Sequence, residues 1–384
     1  MQLKRVIKNE FYRLFCGRYP LVLIIFLLPL FFTIVFGMAY EENVVNDISL
    51  VVYDQDQSML SRKLIQSYSD SERFKIIAYV DDEKTMEDML QSGKVLTGLE
   101  IPADFSQNIK LGNGTNLLLL ANSTNNIFAN AGINAAREIN KSFSISVAQK
   151  TMESFGILPT AAMNMVYPVR MGVRIINNPV NGYNPFMLSG LMLNGLQIAL
   201  LLVVSPLLVD EYENKRYGVN YNNISLFVGK AVPCWITAVA AYIISLLALK
   251  YVFDIAWQGP FYQLVLLGSA FSFMVIQIMF LFSAMNKNTT LAMETPLLYI
   301  MPGLLFSGIS WPEFSMNKFS IIFSSLLPMT YAADNLRDLL LAGYAPCLWR
   351  DMLIMLLFGL LLGTIAFFIF KFRRKHVYKN EGKV

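Results

Sequence analysis

The chain has 384 residues, 55% hydrophobic and only 15% charged, with a net charge of +4 and a mean hydropathy of +0.47. A soluble domain is ordinarily about one quarter charged, so this balance excludes a soluble globular protein and implies extensive contact with lipid. Three cysteines far apart in sequence, Cys16, Cys234 and Cys347, and a single histidine, His376, exclude a disulfide framework, a CxxC metal site and histidine acid–base chemistry.

Residues 1–20 are basic and amphipathic. Leu3, Ile7, Phe11 and Leu14 recur at helical spacing while Lys4, Arg5 and Lys8 turn elsewhere, which predicts a cytoplasmic interfacial helix lying along the membrane surface. Glu10 falls at the edge of the apolar arc, with Arg13 or Arg5 in reach as a partner. Residues 21–39 are apolar over a run longer than the roughly 15 residues of a leader core, and contain Pro29. They are read as the first transmembrane helix.

Residues 41–182 change character. Short apolar or β-branched runs at 47–54, 74–80, 95–101 and 116–122 read as strands, and the stretches 58–69, 85–91, 103–110 and about 126–154 as helices. Such alternation predicts an α/β domain with a helix-covered sheet. Asn177-Asn178-Pro179 and Asn184-Pro185 break the chain as it returns to the membrane.

Five further segments are long enough to cross a bilayer: 186–209, 232–253, 262–285, 291–309 and 348–372. The fold class is therefore an α-helical polytopic membrane protein with six transmembrane helices and an α/β domain inserted between the first two. Pro296 and Pro302-Gly303 predict a kink in the fifth span. Residues 311–345 are too polar to cross and read as an external re-entrant region. Lys4, Arg5, Lys8, Arg13 and Arg18 precede the first span, and Lys371, Arg373, Arg374, Lys375 and Lys379 follow the last; residues 373–384 form a basic tail. Lys215, Arg216, Lys230 and Lys287 fall on the same predicted side, whereas residues 254–260 carry no basic residue. This bias puts both termini in the cytoplasm and the inserted domain outside it.

Catalytic motifs are absent from the sequence. Gly93-Lys94 and Gly229-Lys230 lack the rest of a phosphate loop, and there is no GxSxG or HExxH, so no catalytic, cofactor-binding or metal-binding residue is assigned. The sequons at Asn113, Asn122 and Asn140 are short enough to arise by chance. Asp210, Glu211, Glu213, Lys215, Arg216 and Gly218 follow the second span directly. They form either a solvated helix end or a docking surface for a soluble partner. Glu294 is a carboxylate within a span, near its cytoplasmic edge, and with Pro302 and Gly303 it is a candidate for the translocation path or for helix packing. Gly359 and Gly363 form a GxxxG suited to close helix contact, or an incidental pair.

Ordered motifs run through the whole chain. Val51-Val52-Tyr53-Asp54-Gln55-Asp56, then Ile101-Pro102 with Phe105, then Asn178-Pro179, then Phe186 to Gly190 lead into the second span. Glu211, Glu213 and Gly218, Gly229-Lys230 with Pro233, Ser307-Gly308 with Trp311-Pro312, and Pro328 to Tyr331 with Leu336-Arg337 complete the series. This order resembles the ABC type-2 permease family, in the branch with a large extracytoplasmic domain between spans one and two. The segment 210–228 departs from the family pattern: its spacing to Gly218 is stretched and Val219 stands where threonine is usual.

The resemblance implies the membrane subunit of an exporter of drugs, lipids or other amphipathic cargo. It implies a homo- or heterodimer in the cell inner membrane, a separate cytoplasmic ATP-binding subunit that carries ATP and Mg, and a periplasmic adaptor leading to an outer-membrane channel. Asp210, Glu211, Glu213, Arg216 and Gly218 would couple to the ATPase, while Pro102, Phe105, Asn178, Pro179, Gly190, Gly229, Lys230, Gly308, Pro328, Tyr331 and Arg337 would be structural. Two other classes fit less well. A receptor or scaffold with an outer ligand-sensing domain does not need five clustered spans, and an ion-coupled secondary transporter calls for several intramembrane charges and an internal repeat.

Overall fold

The computed structural model describes residues 2–17, 20–41, 45–179, 182–214, 216–218 and 221–381, with side chains to Tyr378. Arg18, Lys215, Val219 and the side chain of Lys379 lie outside the described residues. The chain divides into two compact units, Val44–Arg174 and the combination of Met1–Asn43 with Ile175–Val384.

Two helices open the chain, α1 (Gln2–Cys16) and α2 (Val22–Ala39). The buried face of α1 is Val6, Glu10 and Leu14, spaced four residues apart. The arc read from the hydropathy pattern lies largely off this packed face: Leu3 is exposed, Ile7 and Phe11 are half-buried, and Leu14 alone belongs to both. On the packed face Val6 meets Gly229, where a Cβ would lie 2.6 Å from Val6 Cγ1. The helix is thus packed on protein along a face that includes a carboxylate.

The inserted unit runs β1 (Ile48–Asp54), α3 (Met59–Ser69), β2 (Phe74–Val80), α4 (Glu83–Gln91), β3 (Thr97–Ile101), α5 (Phe105–Lys110), β4 (Leu118–Ala121), α6 (Asn126–Ser154) and α7 (Pro159–Val166). Its four-stranded sheet has the order β2-β1-β3-β4; β1 is parallel to β2 and β3, and β4 is antiparallel to β3. Alternation along β1 sends Leu50 and Val52 into one cluster with Tyr68 and Phe105, and Val51 into another with Met86 and Leu90. The sheet is therefore covered on both faces. Ser58, Asp82 and Asn125 cap α3, α4 and α6 through their side-chain oxygens. Pro102 follows β3, where its carbonyl accepts the Phe105 amide, and Phe105 is buried in the larger cluster.

The second unit continues with α8 (Tyr183–Val204), α9 (Pro206–Glu213), α10 (Asn223–Val252), α11 (Phe261–Met285), α12 (Thr289–Ile300), α13 (Gly303–Phe306), α14 (Lys318–Ser324), α15 (Pro328–Leu341) and α16 (Leu348–Glu381). A 3-10 turn at Glu313–Ser315 precedes α14. Among the described residues, five helices are long and apolar enough to cross a membrane: Val22–Ala39, Tyr183–Glu213, Asn223–Val252, Phe261–Met285 and Leu348–Tyr378. The fifth predicted span, 291–309, is not among them. It is divided into α12 and α13 by a turn at Met301-Pro302, because Pro302 has no amide hydrogen to continue the ladder. Twelve residues rise only about 18 Å, short of the ~30 Å hydrocarbon layer.

Small residues set the helix contacts in this unit. The GxxxG pair on α16 packs on α11, with Gly359 against Phe273 and Gly363 against the Gln277 side chain. At Gly195 on α8 a Cβ would lie 2.9 Å from the backbone Cα of Pro29 in α2. Backbone cannot swing away as a side chain can. Gly195→Leu should therefore cost about 1–3 kcal/mol by overpacking, read as a lowered thermal midpoint of the detergent-solubilised protein; an unchanged midpoint would refute this account of the α2–α8 contact.

Candidate functional site

Where α8 gives way to α9, Pro206 removes one backbone donor. The next amides turn to α11: Leu208 and Val209 both donate to Ser283 Oγ, at 3.0 and 3.2 Å. Lys230 of α10 donates to the Leu207 carbonyl at 3.0 Å. The short helix α9 is thus held by its own backbone groups on two neighbours.

Lys230 sits at the centre of a buried group of charges. Its Nζ lies 3.4 Å from Glu211 Oε2 and 3.6 Å from Glu10 Oε1, and the Lys230 and Glu211 side chains are both 0% exposed. Glu211 Oε1 accepts the Tyr217 amide at 2.9 Å, and the Tyr217 hydroxyl donates to Glu10 at 3.3 Å. Burial pushes the Tyr217 phenol up to about 12, and the Glu10 carboxylate adds to the shift, so the hydroxyl keeps its proton to donate. At the edge, Arg13 lies 3.7 Å from Glu10 and 3.4 Å from Asp210. Two carboxylates share one ammonium, each with a second donor, which is the arrangement that makes buried charge tolerable.

The segment after α9 is held from the other side by α16. Arg374 donates to the carbonyls of Tyr217, Gly218 and Tyr221 and to Asn223 Oδ1, at 3.3, 2.8, 2.8 and 2.7 Å. Tyr378 donates to the Tyr217 carbonyl at 2.9 Å. Arg373 stacks 4.9 Å over Tyr212 and donates to the Ala284 carbonyl at 2.6 Å. Glu213 faces outward and accepts the Thr289 hydroxyl at 2.5 Å, joining α9 to the start of α12.

The coupling residues predicted from sequence therefore fall into two sorts. Asp210, Glu211 and Glu213 each reach a different neighbour, α1, α10 and α12. Arg216 is exposed and forms no ion pair or hydrogen bond among the described residues. Gly218 has no left-handed backbone and open space where a Cβ would sit, so the structure gives its lack of a side chain no reason; its carbonyl is what Arg374 holds. Glu10, Tyr217, Ser283 and Arg374 were missed as site residues, being single polar residues on separate elements with no shared local pattern.

A second gathering lies at the opposite end of α8. Arg337 of α15 stacks 5.0 Å over Phe186, and a Cβ on Gly190 would lie 2.2 Å from Ile309 Cδ1. Gly308 has φ +86°, open to glycine, and a Cβ there would lie 2.8 Å from Asp334 Oδ2. Pro328 starts α15, and Tyr331 donates to the Ser325 carbonyl at 2.7 Å. Asn178 brackets Gly182 by donating to its carbonyl and accepting its amide, at 3.0 and 3.2 Å, beside the exposed Pro179. Gly303 packs on Gln197 of α8, and Pro302 makes the break before it. Glu294 is exposed on α12 between Leu291 and Leu298.

Burial lifts the Asp334 carboxyl to about 6, with Arg337 opposing and Asp338, Glu313 and Asp351 adding. Between its ordinary value and 6 the folded state holds a proton that the unfolded chain has released. The stability from that proton is complete below the ordinary value and is lost as pH rises through 6. Asp334→Asn should flatten the dependence of thermal stability on pH between about 4 and 7; an unchanged slope would show that Asp334 does not set it.

Among the described residues no group of His, Cys, Asp and Glu could hold a metal ion. Several apolar crossing helices with a buried charge cluster at one end define a multi-pass membrane protein whose polar residues are joined across helices rather than set around a reactive centre. A family profile described as ABC-2 family transporter protein matches residues 20–368. The chain belongs to that family of transporter membrane subunits, a membership that implies dimerisation and a partner ATP-binding subunit. It is 27% identical over 129 residues to ABC transporter G family member 20 of Dictyostelium discoideum, a match covering 33% of this chain and only 17% of that protein. It is 21% identical over 363 residues to the probable multidrug ABC transporter permease YbhR of Escherichia coli strain K12, covering 92% of this chain and 94% of that one.

Proposed function

We propose that the chain is the permease subunit of an ATP-driven exporter in the cell inner membrane, working as a homo- or heterodimer on amphipathic cargo such as drugs or lipids. The multidrug name of the Escherichia coli relative supports that cargo class. ATP and Mg belong on the separate partner, and this chain supplies no cofactor site of its own. Helix α12 with α13 makes a sixth crossing, broken rather than kinked. Six crossings put the basic residues at both ends of the chain on one side, the cytoplasmic one, whereas five would divide them. The sheet-containing unit is then extracytoplasmic, positioned to meet a periplasmic adaptor and an outer-membrane channel, and α1 sits at the cytoplasmic surface.

The observation that carries the reading is the Lys230 cluster. It binds α1, α9 and α10 together, while Arg374 holds the following turn to α16. A soluble ATPase that docks on 210–218 thereby grips four helices at once. Helix α9 follows α8 directly at Pro206, so displacement at the cluster passes through that junction into α8, whose far end carries the Phe186–Arg337 contact. Copurification with a candidate ATPase tests this. Glu211→Ala and Glu213→Ala should weaken association and ATPase stimulation; undiminished values in both variants would remove the coupling assignment.

A further inference from the structure

We propose that the sheet-containing unit carries, along α6, a binding groove for a single-chain amphiphile with an anionic head. Two cavities of 840 and 450 Å³ adjoin there and share Ile109, Phe143, Val147 and Thr151 as walls. Each falls within the ~300–1,000 Å³ typical of ligand pockets. Their linings differ in kind. Three cations from three helices, Lys63 of α3, Lys110 of α5 and Lys150 of α6, line the first, with the hydroxyls of Ser58, Ser106 and Ser146 between them, and no carboxylate does. The second has no charged residue at all; Phe105, Leu117, Ala148 and Met152 give it apolar walls, with the neutral side chains of Asn113, Thr115, Asn140 and Ser144 among them.

Head and tail chemistry follow from that division. Among the described residues none of the three lysines forms an ion pair; the carboxylate near Lys110 is Asp56, whose Oδ1 accepts the Ser106 amide and hydroxyl at 3.2 and 2.9 Å. Lys63 and Lys150, with Lys110 only partly offset by Asp56, favour a carboxylate or phosphate, and the largely apolar continuation favours an alkyl chain. Met59 and Phe155, 76% and 77% exposed, extend apolar surface to the rim of the cationic cavity. A neutral lipid would satisfy the second cavity and leave the first uncompensated. This inference concerns the inserted unit and does not rest on the exporter reading.

The test uses the full chain in phosphatidylcholine nanodiscs, a photoactivatable fatty acid as probe, and peptide mapping of the labelled sites, with no ATPase present. Within the inserted unit, labelling should fall on α3, α5, α6 and residues 112–117, and should be displaced by oleate and by lysophosphatidic acid but not by uncharged monoolein. The stronger competitor of the two anions identifies the head as carboxylate or phosphate. Lys63→Glu with Lys150→Glu should lower labelling by about tenfold or more, and Lys63→Arg with Lys150→Arg should retain it. Equal displacement by monoolein, no displaceable labelling on the walls of the two cavities, or undiminished labelling of the charge-reversed variant would each overturn the proposal.

Discussion

Lys230→Met will destabilise the protein by about 3–5 kcal/mol, the usual consequence of stripping the partner from buried charge. Glu211 and Glu10 would remain at 1% and 2% exposure with their shared ammonium gone, and the Leu207 carbonyl would lose its donor. The loss should be recovered in large part by adding Glu211→Gln and Glu10→Gln, because neutral amides tolerate an apolar neighbour far better than carboxylates do. Thermal unfolding of the wild type, the single variant and the triple variant in one detergent reads the effect. If Lys230→Met alone unfolds at the wild-type temperature, the cluster is not the brace described above.

Arg374→Ala has the second large effect, and it is local. One guanidinium supplies donors to four acceptors between Tyr217 and Asn223, and a hydrogen bond to a charged group contributes about 1.5–3 kcal/mol. Amide hydrogen exchange in 217–223 should quicken by about tenfold or more, with little change in α10 or α11. Arg374→Lys should not restore protection, because a lysine cannot present the same planar fork to several carbonyls. Equal exchange in all three proteins would show that the turn is held by other contacts.

Much of this architecture was legible in the sequence because it rests on short-range pattern. The apolar runs at 21–39 and 262–285 are each long enough to cross a bilayer, and helices occupy both. The alternation in 48–54 reads as a strand because its residues divide between two covered faces. The fifth predicted span is divided in two at Pro302, a break that composition averages over and backbone hydrogen bonding does not. In the N-terminal helix the protein-packed face was hidden for another reason. Its Val6 meets Gly229, more than two hundred residues away, a contact that no hydropathy arc can show.

The site shows the same limit. Asp210, Glu211 and Glu213 stood out because they are adjacent and charged, and their order matched a family pattern. The partners that give them meaning, Glu10, Arg13, Lys230, Thr289 and, on the following turn, Arg374, come from four other helices. Gly229-Lys230 was noticed as a motif, yet nothing in one dimension says that Lys230 points at two carboxylates. Ser283 is still less visible, since its role exists only because Pro206 breaks the ladder on a different helix.

The turn following α9 is the proposed docking site of the ATP-binding partner, and Arg216 offers the most direct measurement because its side chain is exposed and unengaged among the described residues. A photo-crosslinker at Arg216 should capture the ATP-binding subunit in the assembled complex, and one at Tyr262, at the opposite end of α11, should not. Capture from Tyr262 with none from Arg216 would contradict both the docking site and the sidedness on which it depends.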